Sequence, residues 1–136
     1  MFRVCLALAL AAVVLGTATA SAHALTVMGC SSGNATKWRQ HPGSCTYSSD
    51  GSSAGTARFT SLRWRGWGKA TATATGRQTA NHRDRDGSLS RYRTTVQVSG
   101  RDFCDGTTYY TQIRFKTAWP GTAARYSEWY ALGTRC

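Results

Sequence analysis

Apolar and polar residues alternate in short runs from Leu25 to the end of the chain, and glycine, serine, asparagine and aspartate separate the runs. An alternation with a period of two places successive side chains on opposite faces of a β-strand. No long segment of this part shows the apolar period of an amphipathic helix. The pattern therefore predicts an all-β protein, a small antiparallel β-sandwich or barrel-like domain of about six to seven strands.

Several segments carry a clear strand pattern, and the polar stretches between them are predicted to be loops or turns. The predicted strands are Leu25–Met28, Phe59–Trp67, Lys69–Arg77, Arg91–Val98, Tyr109–Ala118 and Arg125–Leu132. The predicted loops are Ser31–Gly43 and Gln78–Ser88, and the predicted turns include Asp50–Gly55 and Asp105-Gly106.

One face of each predicted strand is apolar and is expected to form the core. In Lys69–Arg77, alanines alternate with threonines, so the alanine face must pack closely against something large, and the tryptophans are the candidates. The residues predicted to be buried are Leu62, Trp64, Ala70, Ala72, Tyr92, Val96, Val98, Ile113 and Phe115.

The longest apolar run lies at the start of the chain. It extends from Val4 to Leu15, follows Arg3, and is followed by small residues with A-x-A sites up to Ala24. This is the layout of a secretory signal peptide, and the run is too short to span a bilayer. Residues 1–24 are predicted to be a signal peptide and residues 25–136 a single secreted β domain, monomeric and without a transmembrane segment.

A lipid anchor is the alternative to soluble secretion. Val27-Met28-Gly29-Cys30 resembles a lipobox, and acylation of Cys30 would tie the protein to a membrane and leave an odd cysteine. However, the apolar run ends at Leu15, far before Cys30, and better cleavage sites lie between them. The anatomy of the signal favours a secreted, extracellular protein.

Four cysteines follow the predicted cleavage site: Cys30, Cys45, Cys104 and Cys136. An even number in an exported chain predicts two disulfides, for which three connectivities exist. The pairing of Cys30 with Cys45 and of Cys104 with Cys136 is one candidate, because short loops close easily. The chain has no C-x-x-C pair and few histidines, so we predict neither a metal site nor a cofactor.

The chain is strongly basic. It has 17 lysines and arginines against 6 aspartates and glutamates, a net charge of +11, to which Arg3 in the predicted signal contributes one. Such a charge attracts polyanions, which outside the cell include nucleic acid, cell-wall polymers and acidic polysaccharides. An arginine-rich composition is also typical of a high-GC genome, and composition alone does not separate the two explanations.

The strand pattern assigns many of these charges to one surface. The cations fall on the strand faces opposite the apolar ones, with Trp67, Lys69 and Tyr110 near the rim. Such a face would bind single-stranded nucleic acid or sugar polymers by charge and stacking. The alternative is solvated arginines that pair with Asp84, Asp86, Asp102 or Glu128. The predicted polyanion-binding residues are Arg63, Arg65, Trp67, Lys69, Arg91, Arg93, Arg114 and Lys116.

Catalytic candidates are few. A small basic hydrolase of the nuclease kind would need His82, Glu128 and Arg125 together, and nothing in the sequence places them so. The segment from His82 fails as a calcium loop, because the position of the closing glutamate holds Arg93. We predict a non-catalytic secreted module that binds anionic polymers. The hydrolase and a protein-interaction or inhibitor domain, which would use the loops Ser31–Gly43 and Gln78–Ser88, are the alternatives.

Two neighbouring motifs carry a resemblance. Leu62–Gly68 (LRWRGWG) is followed by Ala70–Gly76 (ATATATG), and then by a V-x-V-x-S strand and a C-x-G hairpin. The chain in this respect resembles small secreted all-β proteins of high-GC Gram-positive bacteria that have no established activity. The resemblance implies export, an all-β fold, and pairing of Cys45 with Cys104 and of Cys30 with Cys136. The chain departs from the pattern at His82–Gly87, where such proteins often have a cysteine pair.

Overall fold

The strands of the protein belong to one mixed sheet. A computed structural model describes residues 24–49 and 55–136; residues 1–23 of the predicted signal peptide and residues 50–54 of the predicted turn lie outside these ranges. The strands are β1 Leu25–Ser32, β2 Ala35–Arg39, β3 Cys45–Ser48, β4 Thr56–Arg65, β5 Ala72–Thr79, β6 Arg91–Cys104, β7 Thr107–Thr117 and β8 Tyr130–Ala131. Within the described ranges, no helix is long and apolar enough to cross a membrane.

The sheet has the strand order β2-β1-β7-β6-β5-β4-β3, and β8 pairs with β7 beside β1. The predicted all-β, disulfide-stapled fold is confirmed. Its pairings are antiparallel except the one between β1 and β7, which is parallel and makes the sheet mixed. Strand β2 forms inside the segment predicted to be the loop Ser31–Gly43. The ladder with β1 and the side chain of Trp38, which lies over Gly29 and packs edge-on against Tyr109, hold this edge strand.

The sheet curls until its two ends meet. A disulfide joins Cys30 of β1, the neighbour of the edge strand β2, to Cys45 of the opposite edge strand β3, with a distance of 5.2 Å between the Cα atoms. No ladder of hydrogen bonds joins β1 to β3 within the described sheet, so it is barrel-like and not closed. The largest fully buried side chains include Tyr110, Phe59, Met28, Ile113, Val96 and Val98.

The second disulfide joins Cys104, at the end of β6, to Cys136. The pairing implied by the resemblance, Cys45–Cys104 with Cys30–Cys136, is therefore wrong, and the local pairing is correct. The strand order explains this. Cys45 is on β3 and Cys104 is on β6, and strands β4 and β5 lie between them. Three strand spacings, a total of roughly 14 Å, therefore separate β3 from β6 along the sheet. A disulfide spans no more than about 7 Å between Cα atoms. Because Cys30 is bonded to Cys45, it has no free thiol for a lipid.

Most of the predicted core residues face the interior. Leu62, Ala72, Val96, Val98 and Ile113 are buried, Trp64 and Phe115 pack against the core, and Tyr92 is half-buried. The prediction for Ala70 is wrong: it is exposed, because β5 begins only at Ala72. The alanine face does meet a tryptophan, since Trp64 lies directly opposite Ala74 across the ladder.

A β-bulge in β4 reverses the facing of its second half. The register between β4 and β5 shifts between Thr60 and Arg63, and Ser61 has a left-handed φ of 54°. Because of this extra residue, Phe59 and Leu62 both face the core although they are three positions apart. Gly76 lies against the bulge, and a Cβ atom there would be 2.7 Å from the carbonyl oxygen of Thr60.

We expect Gly76→Ala to destabilise the protein by about 1–3 kcal/mol, because the added methyl group would displace the backbone of the bulge. The measurement is urea unfolding of the mature protein. Gly133→Ala is the matched control, since a Cβ atom at Gly133 meets nothing within 4 Å. Equal stability of the two variants would contradict the packing of Gly76 against β4.

Candidate functional site

Strands β4 to β7 present cations in register on one face. Two cross-strand rows define it, Arg63–Thr75–Thr95–Lys116 and Arg65–Thr73–Gln97–Arg114. The row between them, Trp64–Ala74–Val96–Phe115, faces the core, so these two rows face outward. A third outward row brings Arg77 beside Arg93. We call this surface the cationic face; its seven cations are Arg63, Arg65, Arg77, Arg91, Arg93, Arg114 and Lys116.

The structure brings together six of the eight residues predicted to bind polyanions. Arg63, Arg65, Arg91 and Arg93 are exposed on the cationic face, and Arg114 and Lys116 are half-buried there. Trp67 and Lys69 lie instead in the loop between β4 and β5.

Trp67 is part of the interior packing rather than of the cationic face. Its indole nitrogen donates a hydrogen bond to the carbonyl oxygen of Thr26 at 3.0 Å, and its ring packs edge-on against Trp64 and Tyr110. Tyr110, expected at the rim, is fully buried and donates to the carbonyl oxygen of Lys69 at 2.8 Å. Burial raises the pKa of Tyr110. These two aromatic residues hold the loop, and Lys69 remains exposed on it.

Arg77 belongs to the cationic face and was not among the predicted residues. Its signal was present in the sequence, because Arg77 continues the alternation that turns Thr73 and Thr75 outward. In the structure it is directly opposite Arg93. Like charges in this position destabilise a sheet, so the pair favours a state in which an anion lies between or over the two guanidinium groups.

Two aromatic side chains lie against the cationic face. The guanidinium carbon of Arg114 is 4.6 Å from the ring centre of Tyr126 and 4.4 Å from that of Trp129. The ammonium group of Lys116 is 4.9 Å from the ring of Tyr126. Both rings belong to the segment before β8, which Ser127 attaches to β7 by hydrogen bonds with the backbone of Phe115. The strand predicted at Arg125–Leu132 is confirmed only at Tyr130–Ala131, so the period-two pattern did not place either ring beside Arg114.

Polar contacts fix the orientation of Arg114. Its Nε donates to Oε1 of Gln97 at 2.8 Å, and the amide of Gln97 donates to Oγ1 of Thr73 at 3.3 Å. The guanidinium group is thereby held by Gln97 of the sheet and by the rings of Tyr126 and Trp129. Such a cation loses little side-chain freedom when it binds an anion.

The carboxylates of the loop between β5 and β6 form their hydrogen bonds within that loop. Asp84 accepts a hydrogen bond from Ser90, and Asp86 accepts two from Ser88, at 2.7 Å from the hydroxyl and 2.9 Å from the amide. The bonds from Ser88 lower the pKa of Asp86. Arg83 donates to the carbonyl oxygen of Gly87 in the same loop. The contacts of these two aspartates therefore go to serines rather than to the cationic face.

The catalytic candidates lie in separate places. His82 is exposed in the loop between β5 and β6, whereas Glu128 is exposed in the segment along β7. A groove of about 640 Å³ between β2 and β4 is lined by neither of them. In the part of the chain that the structure describes, no group of three His, Cys, Asp or Glu residues is arranged to hold a metal ion.

No protein-family model matches the chain, and no curated protein or solved structure matches it either. The resemblance to small secreted proteins of high-GC Gram-positive bacteria stays a prediction. An argument about function therefore depends on the geometry and charge of the site itself.

We expect Arg93→Thr to stabilise the free protein at low salt by about 0.2–1 kcal/mol, because it removes the repulsion with Arg77. The gain should shrink at high salt, which screens exposed charges. Urea unfolding at both salt concentrations measures it. Arg63→Thr is the control, since the residue opposite Arg63 is Thr75. A gain of the same size in both variants would argue against a specific pair.

Proposed function

We propose that the mature protein is a secreted, non-catalytic module that binds an anionic polymer through the cationic face. The observation that supports this proposal is the register of seven cations on the outward side of four adjacent strands, with Arg77 directly opposite Arg93. Strands β4, β5 and β7 contain no aspartate or glutamate that would neutralise these charges. An external polyanion would supply the missing negative charge.

The driving force would be electrostatic. Cations fixed at strand spacing produce a positive potential that attracts a polyanion and releases its condensed counterions. Arginine supplies six of the seven cations, and its planar guanidinium binds phosphate, sulfate or carboxylate groups through two parallel hydrogen bonds. The proposed polymer is therefore nucleic acid, an acidic polysaccharide or an anionic cell-wall polymer.

The aromatic residues beside Arg114 add a preference within this class. Trp129 is 36 % exposed, and an exposed indole offers a surface for stacking on a base or a sugar ring. A polymer that contains such rings would gain this contact, whereas a flexible chain without rings would gain only the charge term. The cationic face thus favours polymers with rings among those of equal charge.

The disulfides support the secreted part of the proposal. Both disulfides lie within residues 25–136, with sequence separations of 15 and 32. Such bonds persist in oxidising compartments and are rare in the cytosol. They agree with the predicted signal peptide at residues 1–24.

We propose no catalytic step. General acid–base catalysis needs two groups within reach of one substrate, and we assign no such role to Glu128, in the segment before β8, or to His82, in the loop between β5 and β6. In the protein-interaction alternative, part of Ser31–Gly43 would act as the exposed edge strand β2 rather than as a loop.

The first test removes two charges from the cationic face. We expect Arg63→Gln/Arg65→Gln to elute from heparin, teichoic acid and single-stranded DNA at lower salt than the wild type. The dependence of log K on log salt should become shallower by about 0.7–0.9 for each lost contact. Arg83→Gln/Arg85→Gln has the same net charge and changes only the loop between β5 and β6, so it should behave as the wild type.

Equal weakening in both double variants would mean that the charge acts diffusely and that the cationic face is not a site. Failure of the wild type to bind any of the three polymers at low salt would refute the proposed function.

The second test removes the exposed indole. We expect Trp129→Ala to weaken binding to single-stranded DNA by about 1–3 kcal/mol, the contribution of one base stacked on an aromatic ring. Retention on polyphosphate, which has no rings, should hardly change. Phe103→Ala is the control, because Phe103 is 67 % exposed but lies beyond the cationic rows. Equal loss on both polymers would exclude stacking.

A further inference from the structure

The line where the two ends of the sheet meet forms a groove that is separate from the centre of the cationic face. Its volume is about 640 Å³, and the bonded cysteines Cys30 and Cys45 are among the residues that line it. Strand β2 forms one wall, and β3 with the first half of β4 forms the other. We call it the seam groove.

Cations face the seam groove from both walls. Lys37 and Arg39 of β2 line one side, and Arg58 of β4 lines the other. The described residues that line this groove include no aspartate or glutamate. Lys37 and Arg39 are exposed, and so is Arg58. The groove therefore offers three positive charges to whatever enters it.

The disulfide determines how far apart these walls are. Lys37 lies directly opposite Cys30 in the ladder of β1 and β2. Arg58 lies opposite Thr46, which follows Cys45 in β3. The cations lie on β2 and β4, which pair with β1 and β3 respectively. The disulfide joins β1 to β3 and thereby links the two walls. The cations are presented by a fixed backbone and need not be assembled by the ligand.

The other polar groups of the seam groove are mainly hydroxyls. Ser31, Ser32, Ser44, Thr46 and Thr60 line it together with the cations. A hydroxyl both donates and accepts hydrogen bonds, so such a lining suits a ligand that carries hydroxyls itself. The volume lies in the range of small-molecule sites, roughly 300–1,000 Å³. A compact ligand with an anionic group and several hydroxyls matches these features.

We propose that the seam groove binds a phosphorylated sugar or polyol, with the phosphate between Arg58 and the cations of β2 and the hydroxylated part against the serines and threonines. The phosphate carries the charge that the three cations require, and guanidinium binds phosphate with two parallel hydrogen bonds. This inference does not depend on the proposed function of the cationic face.

Two sources would present the same chemistry: a free sugar phosphate, and a phosphorylated unit within an anionic polymer. Arg58 of the groove and Arg91 of the cationic face lie in one row across β4, β5 and β6, on either side of Thr79. The groove is therefore continuous with the surface on which a polymer would lie. A polymer on the cationic face could thus reach the groove through Arg58.

The test is calorimetric titration of the mature protein with glucose 6-phosphate, with glucose as the uncharged comparison. We expect saturable binding of glucose 6-phosphate and none of glucose. Lys37→Gln/Arg39→Gln should weaken that binding by about tenfold or more, the effect of losing hydrogen bonds to a charged group. Arg63→Gln/Arg65→Gln removes the same charge from the cationic face and should leave this affinity unchanged.

The proposal is overturned if the wild type shows no saturable binding, or if Lys37→Gln/Arg39→Gln binds as the wild type does. It is also overturned if the two double variants weaken binding equally, since the ligand would then be sensing the net charge. A third variant, Arg58→Gln, changes the opposite wall and should weaken binding as well. Unchanged circular dichroism of each variant ensures that a loss reflects the groove.

Competition identifies the source. Displacement of the wild type from teichoic acid by glucose 6-phosphate would support a polymer unit as the natural ligand. Calorimetric binding without displacement would support a free sugar phosphate. Failure of polymer retention together with intact binding of glucose 6-phosphate would refute the proposed function of the cationic face and leave the seam groove standing.

Discussion

The bond between Cys30 and Cys45 is the constraint on which the rest of the structure depends. It joins β3, at one edge of the described sheet, to β1, the neighbour of the other edge strand β2, and no ladder closes the sheet there. In the chain-entropy model a loop of this length contributes about 3 kcal/mol. The larger effect is geometric, because the bond keeps one side of the sheet turned inward around the core. The cations of the cationic face are left on the outward side, and those of β2 lie along the seam.

The bulge at Ser61 decides which side chains of β4 go inward. Without the extra residue, the alternation that buries Phe59 would turn Arg63 and Arg65 toward the core and Leu62 and Trp64 toward solvent. The extra residue of the bulge shifts the register of β4 by one position. The apolar side chains of its second half therefore face the core, and its arginines face outward. Gly76 makes room for this backbone. A local feature of two strands thus determines the interior packing and the surface charge together.

The sequence predicted those parts of the molecule that follow from strict alternation. The all-β fold and the outward cations of β6 and β7 depend only on a period of two, and Arg77 of β5, which was not predicted, was within reach of the same reasoning. Contacts between distant segments carry no such period. Trp67 looked like an exposed aromatic residue near cations, but the buried Tyr110 and the carbonyl oxygen of Thr26 draw it inward. The aromatic residues that do flank Arg114 come from an irregular segment.

The stability of the fold and the charge of its surface oppose each other. Like charges in register across β5 and β6 weaken the sheet in the free protein, and a small domain has a limited core with which to offset them. The two disulfides supply stability that does not depend on the surface, since they act mainly on the unfolded chain. A bound polyanion would act on the folded state instead, and by mass action it would stabilise the protein in proportion to its occupancy. The disulfides thus stabilise the free protein, whereas the proposed polyanion would lower the free energy of its charged surface.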